Sequence, residues 1–110
     1  MSENEIVSFI LSLPSLFRGE KSPGLEADIQ LILSGTERGN WVIAIRDQKC
    51  SVYEGIVDTP RLILNTNAQD AANILSGELD AGRAFMSGKL SLSGDLFLAR
   101  KLPGYFKATT

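Results

Sequence analysis

The sequence predicts an α+β fold. Between Leu25 and Ile56 apolar side chains recur at every second residue in three short runs joined by turn residues, the period of half-buried strands. On either side of that block they recur at the three-and-four spacing of a helical face. A third observation is the stretch from Phe85 to Leu102, which holds a helix end, a short alternating strand and a second helix start.

Taken in order, Ser2 and Glu5 stand at capping-box spacing, and Ile6, Phe9, Ile10 and Leu13 follow on one face, so an amphipathic helix opens the chain. Pro14 is expected to deny it an uninterrupted path, leaving Leu16 and Phe17 on a turn or a short second helix before the loop from Gly19 to Gly24. In the first strand Leu25, Ala27, Ile29, Leu31 and Leu33 alternate with Glu26, Asp28, Gln30, Ile32 and Ser34. The link from Gly35 to Asn40 has the length and glycine content of a hairpin loop, and Trp41, Ile43 and Ile45 mark a second strand. Asp47-Gln-Lys turns the chain into a third, Cys50 to Ile56, weakened by Glu54 on the face of Val52 and Ile56. Short turns make these three an antiparallel meander.

Asp58-Thr-Pro60 breaks the pattern, and Arg61 to Asn65 gives a fourth strand with Leu62 and Leu64 on one side. Thr66 precedes Gln69 at capping-box spacing, and Ala68, Ala71, Ala72 and Leu75 share a helical face that Gly77 ends. A turn through Glu78 to Asp80 leads to a short helix from Ala81 to Met86. That is enough helix for a crossover, which allows the fourth and fifth strands to run parallel. The fifth sets Leu90 and Leu92 against Lys89, Ser91 and Ser93, and a last helix starts at Asp95.

Composition narrows the function. At 110 residues the chain is read as one domain spanning 1–110, with 44% apolar and 22% charged residues. A net charge of −2 and a pI near 5.0 argue against a nucleic-acid partner. The charge is uneven: from Ala81 onward Arg83, Lys89, Arg100, Lys101 and Lys107 face one anion, Asp95. With no histidine and a lone Cys50, the usual zinc sets and Ser-His or Cys-His nucleophile pairs cannot be assembled. Cys50 itself reads as a small buried apolar residue, and the thirteen carboxylates are scattered without an acid-base pair. Ser87-Gly88-Lys89 is not a phosphate-binding loop, because Gly82 lies one position too far upstream and Leu90 stands where Ser or Thr is needed. An acidic start, no apolar run near the roughly 18 residues of a membrane span, and an end in Lys-Ala-Thr-Thr rather than Ser-Lys-Leu lead us to expect a cytoplasmic protein.

Phe85, Gly88-Lys89-Leu90, Leu92 and Gly94-Asp95, in that register, resemble the signature of the sterol carrier protein type 2 lipid-transfer family. Gly35 with Gly39-Asn40-Trp41, the segment Leu75-Ser-Gly77-Glu-Leu79-Asp80, and Ala99-Arg100-Lys101-Leu102 extend the resemblance over roughly residues 5 to 106. It implies a five-stranded mixed sheet of order 3-2-1-4-5, covered on one face by helices, with an apolar tunnel between sheet and helices. Lining residues would be Ile29, Leu31, Leu33, Ile43, Ile45, Leu62, Leu64, Leu90 and Leu92 from strands, and Leu75, Phe85, Met86, Phe97, Leu98 and Leu102 from helices. Met86 reads as a gap-filling core residue whose flexible thioether also suits a wall that accepts several ligands. Arg100 and Lys101 read plainly as a solvated helix face. The functional alternative is that Lys89, Arg100 and Lys101 ring an entrance and attract a carboxylate, a phosphate or an anionic membrane surface. Ala71 and Ala72 stand where family members often carry bulky apolar residues, so ligand identity does not carry over.

The resulting expectation is a non-enzymatic carrier, without cofactor or metal, for a long-chain hydrophobic ligand: a fatty acid, an acyl-CoA, a phospholipid, a sterol-like molecule or an isoprenoid. The alternative is an accessory module that presents a hydrophobic substrate, such as a quinone precursor, to a partner enzyme. A dry tunnel of about 300 Å³ would cost on the order of 7 kcal/mol at roughly 24 cal/mol per Å³. The isolated protein is therefore expected to hold a lipid or to loosen its last helix.

Overall fold

The computed structural model describes residues 3–35 and 39–106. Its elements are α1 (Glu3–Leu16), a 3-10 turn (Gly19–Lys21), β1 (Ala27–Ser34), β2 (Gly39–Arg46), β3 (Lys49–Glu54), β4 (Leu62–Asn67), α2 (Ala68–Ser76), α3 (Ala81–Met86), β5 (Leu90–Gly94) and α4 (Leu96–Phe106). The strands form one sheet in the order β3-β2-β1-β4-β5. The helices share one face of it, and a single apolar cluster joins Ile10 and Leu13 of α1, Ile74 and Leu75 of α2, Ala84 of α3 and Leu98 and Leu102 of α4 to the inward strand residues.

The alternating runs become β1, β2 and β3, paired antiparallel with Ile29 opposite Ile43 and Ile43 opposite Val52. The two-residue link Asp47-Gln48 has positive φ at both positions (54° and 60°), which suits the right-handed twist of a tight hairpin. The loop between β1 and β2 falls largely on residues 36–38, outside the described residues, as does Ser2 of the capping-box pair. The third strand is shorter than expected. It ends at Glu54, and Ile56, assigned to it by alternation, is 73% exposed. Gln30 draws the chain away there: its Nε2 donates to the carbonyls of Trp41 (3.1 Å) and Gly55 (2.9 Å), and its Oε1 accepts from the Val57 amide (2.9 Å).

Three further expectations are corrected. Pro14 does not stop the first helix, which runs on to Leu16. Proline has no N–H to offer the Ile10 carbonyl, yet Ile10 and Leu13 are fully buried and hold this turn on the core. The hydroxyls of Ser12 and Ser15 donate to the carbonyls of Phe9 and Ser12 (2.6 and 2.8 Å). Thr66 does not cap α2. It still belongs to β4, opposite Leu90, and its Oγ1 donates to the Lys89 carbonyl at 2.7 Å. The cap is Asn67, whose Oδ1 accepts from the Asp70 amide at 2.8 Å, and Gly77 ends the helix in the left-handed region as expected.

The fourth and fifth strands are antiparallel, and the parallel pair is β1 with β4. Because Thr66 lies opposite Leu90, the segment between them leaves and re-enters the sheet at the same end. Two short helices separated by a turn go out and come back, whereas one longer helix would have crossed over.

The turn from β5 into α4 is tightly specified. Gly94 has φ 106°, and a Cβ there would run into the Arg61 carbonyl. Asp95 follows, with its amide donating to that same carbonyl at 2.9 Å. Its Oδ1 accepts from the Leu98 amide (3.0 Å) and its Oδ2 from Arg61 Nε (3.0 Å). The Leu98 amide above all holds the Asp95 carboxyl below the usual carboxylate range; desolvation opposes it, and the hydrogen bond and charge of the Arg61 guanidinium add to the lowering.

A carboxyl whose pKa is lowered by folding adds stability above its unfolded pKa and loses it as pH falls through the folded value. Asp95→Asn keeps an oxygen for the Leu98 amide and removes the charge. It should be less stable than the parent at neutral pH and lose less stability below the ordinary carboxylate range. Urea denaturation over an acidic pH series checks this, and parallel curves for the two proteins would contradict it.

Candidate functional site

The space between sheet and helices was the expected tunnel. Eleven of the expected lining residues meet there: Ile29, Leu31, Leu33, Ile43, Ile45, Leu62, Leu64, Leu75, Leu90, Leu98 and Leu102 are buried in one cluster, and Leu92 is half-buried against it. The layer is closed rather than hollow. The void found in it measures about 10 Å³ and is lined by Leu31, Leu64, Thr66, Ala71, Ile74, Leu75 and Leu90. That is barely the space of one water molecule. α2 closes it with one small and two larger side chains, Ala71, Ile74 and Leu75, set against Leu31 and Leu64 of the sheet; Ala72 is buried as well, at 1% exposed, but outside that cluster.

Three expected inward residues point out instead. Phe85 is 51% exposed, Met86 88% and Phe97 76%. α3 has only six residues and buries Ala84. Each step along a helix turns 100°, which carries Phe85 and then Met86 away from the sheet. In α4 the buried side is Leu98, Ala99, Leu102, Tyr105 and Phe106. Leu98 and Leu102 are one turn apart, and Phe97 sits with Lys101 on the adjoining row, which faces solvent.

The expected entrance cations are all exposed but lie in different places. Arg100 lines a broad cleft of about 780 Å³ between the α2–α3 link and α4, opposite Arg83, with Glu78 and Asp80 on the same walls. Lys101 lines a separate hollow of about 130 Å³ with Arg61, Asp95 and Phe97. Lys89 is in the turn between α3 and β5. Sequence reasoning passed over Arg83, a lone cation on a short helix with nothing in the pattern to tie it to Arg100. It also passed over Gln30, an ordinary polar residue in an alternating strand; the one hint was its apolar neighbour Val42 on the same outer face, which is fully buried.

Cys50 packs with Val52 on the inward side of β3. Burial alone pushes its thiol up to about 12. Among the described residues, no three Cys, Asp or Glu side chains are grouped closely enough to hold a metal ion, and no helix is long and apolar enough to cross a membrane.

A 3-2-1-4-5 sheet covered on one face by helices is shared with known proteins. Residues 18–107 match the SCP-2 sterol transfer family. The chain belongs to that family. A hydroxysteroid dehydrogenase-like protein 2 from Xenopus tropicalis is 33% identical over 92 residues, which cover 83% of this chain and 22% of that protein. This member thus spans about a fifth of the length of that relative. Among solved structures, palmitated SCP2L2 from Aedes aegypti superposes with a TM-score of 0.72 at 24% identity, covering 98% of this chain and 96% of that one. A ubiquinone synthesis protein, UbiJ-SCP2, superposes with a TM-score of 0.64 at 13% identity over 94% of this chain and 83% of that one. These likenesses are to the fold.

The raised thiol of Cys50 makes a simple chemical prediction. At pH 8 a thiol near 12 is ionised to roughly one part in ten thousand, against about a quarter for a free cysteine. Iodoacetamide should therefore alkylate Cys50 on the order of a thousandfold more slowly in the folded protein than in urea. Intact-mass spectrometry follows the reaction, and equal rates would show an accessible, unperturbed thiol.

Proposed function

We propose that this family member is a non-enzymatic carrier that takes the chain of a single-tailed lipid, of which palmitate is the simplest example, between the sheet and α2. The observation that carries this reading is the inner layer itself. It is apolar across both the sheet and the helices, and a void within it, beside Ala71 and Leu75, has walls of leucine, isoleucine and alanine with a single hydroxyl, Thr66, already bonded to Lys89. The palmitated relative shares the fold and supports the choice of probe. Acyl-CoA, phospholipid, sterol-like and isoprenoid ligands present similar apolar surface to such a layer.

Magnitudes are compatible with transfer. Burying about sixteen methylenes at about 0.8 kcal/mol each gains on the order of 12 kcal/mol. Association costs roughly 4 to 15 kcal/mol, and the closed layer adds the work of separating packed surfaces. The balance gives a ligand that is held but can leave. Affinity resides in the chain, which favours tolerance of the headgroup.

A second reading has its own support. The matched relative carries this region as about a fifth of a longer protein, and UbiJ-SCP2, named for ubiquinone synthesis, shares the fold. In that reading the domain presents a hydrophobic substrate, such as a quinone precursor, to an enzyme. A stable complex in a pull-down at near-native concentration would favour it over free transfer.

Native mass spectrometry of the purified protein with palmitate should show a stoichiometric complex. At a hundredfold excess over the dissociation constant the ligand adds about 2.7 kcal/mol, raising the melting temperature on the order of 10 °C. A mass without ligand and an unchanged melting temperature would remove the carrier reading.

Ala71→Leu puts a larger side chain where only about 10 Å³ is free. Overpacking should cost about 1–3 kcal/mol in urea denaturation and lower palmitate affinity at least tenfold. Undiminished affinity would place the chain elsewhere.

A further inference from the structure

We propose that the free edge of β5 is an interaction surface for a second copy of this chain, whose own β5 pairs with it antiparallel across a two-fold axis at Leu92 and joins the two sheets into one. The inference stands on the backbone and sequence of β5. It goes beyond the carrier reading and does not depend on it.

β5 stands last in the sheet and is laddered to β4. Two hydrogen bonds fix which of its backbone groups are left over, because a trans peptide sends its N–H and C=O opposite ways. The Asp95 amide donates to the Arg61 carbonyl on β4's side, so the Gly94 carbonyl points to the open side. The Lys89 carbonyl accepts from Thr66 Oγ1 on β4, so the Leu90 amide points to the open side as well. Between them antiparallel alternation turns Ser91 and Ser93 toward β4 and Leu92 outward. Proteins commonly blunt such an edge with charged side chains, proline or a bulge. Leu90-Ser-Leu-Ser-Gly94 has neither charge nor proline, and its register with β4 runs unbroken from Thr66 opposite Leu90 to Leu62 opposite Gly94. β3, at the other edge, is blunted: Lys49 and Glu54 stand at its ends, and Gln30 draws the chain away at Gly55.

Self-complementarity identifies the occupant. A two-fold axis at Leu92 sets Leu92 opposite its own copy, Ser91 opposite Ser93, Leu90 opposite Gly94 and Lys89 opposite Asp95. Each outward amide then meets an outward carbonyl, and the inward side chains of both copies stay on one side of the joined sheet. Lys89 is exposed and in no ion pair among the described residues. It comes opposite Asp95, the sole anion between residues 81 and 106, and symmetry makes the match twice. Leu92 is half-buried although Leu64 beside it on β4 is buried, and a second Leu92 supplies the cover that an edge lacks. Antiparallel pairing also brings the end of α3, with exposed Phe85 and Met86, to the same end of the joint as the start of the second copy's α4, with exposed Leu96 and Phe97. An extended peptide could satisfy the backbone groups, but this match of charge and apolar ends belongs to β5 against itself. A five-residue edge is small beside the roughly 1,200–2,000 Å² of stable interfaces, so the association is weak and reversible.

The test is sedimentation equilibrium of the full chain from micromolar to submillimolar concentration, with amide hydrogen exchange on the same samples. The parent should pass from monomer to dimer over that range. The amides of Leu90, Leu92 and Gly94 should exchange about fivefold or more slowly in the concentrated sample, while those of β3 keep their rates. Ser91 and Ser93 are both exposed, so a monomer can carry other side chains there. S91K/S93K sets like charges in both cross-strand pairs of the joint and should raise the dimer dissociation constant about tenfold or more. S91K/S93E occupies the same positions with opposite charges and should dimerise at least as tightly as the parent. Ser51→Lys alters an exposed residue of the β3 edge and should leave the dimer as it is. A parent that stays monomeric throughout overturns the proposal and leaves the edge to a different chain. So does equal dimerisation by the parent and S91K/S93K, or equal weakness of S91K/S93K and S91K/S93E. A dimer that Ser51→Lys abolishes, or whose added protection falls on β3, also overturns it, since the two copies would then be joined elsewhere.

Discussion

A sheet that is apolar on one face has to be covered, and whatever covers it has to touch it. At roughly 24 cal/mol per Å³ of unfilled space, a hollow of tunnel size would consume much of the 5 to 15 kcal/mol that holds a domain together. The protein meets this constraint by close packing. Ile29, Leu31, Ile43, Ile45 and Leu62 are essentially inaccessible to solvent, and Ala68, Ala71, Ile74 and Leu75 of α2 join them in one cluster. In the carrier proposed above, room for a lipid would therefore be made by the lipid: apolar protein surface would be exchanged for apolar ligand surface, each layer packing against the chain where it had packed against the other layer.

The remainder of the architecture fixes the rim of that layer. Gly94 and Asp95 tie the start of α4 to Arg61 and so to β4. At its other end the Arg18 amide donates to the Tyr105 carbonyl at 2.8 Å, and Phe17 packs tilted against Tyr105 and Phe106 with ring centroids 5.9 and 5.5 Å apart. α4 is thus held at both ends. On the opposite face of the sheet Gln30 uses both ends of its amide to hold the segment after β3, a fully bonded polar group where an unpaired one would be costly.

Alternation made the sheet legible, because a period of two leaves little choice about which side chains face in. Order came with the resemblance, whose Gly-Lys and Gly-Asp turns fix where β5 begins and ends. Direction did not, since helix content alone says nothing about the end of the sheet to which a chain returns. Thr66 and Asn67 are both good caps, and only the ladder with Leu90 shows which one is free to act. Phe97 and Leu98 are neighbours of similar hydrophobicity, and their separation into outside and inside depends on how α4 is rolled, which its distant neighbours in the fold decide.

The antiparallel return of β5 has a mechanical consequence. A parallel crossover would be pinned at both ends of the sheet and could not move without straining the ladder. Here the segment from Asn67 to Lys89, which carries α2 and α3, is rooted at one end only, where Thr66 pairs with Leu90 and its hydroxyl bonds Lys89. It is a tongue with a single hinge. Its underside holds Ala71, Ile74 and Leu75, which line the void, so in the proposed carrier an entering chain would part the layer from above while all five strands stay paired.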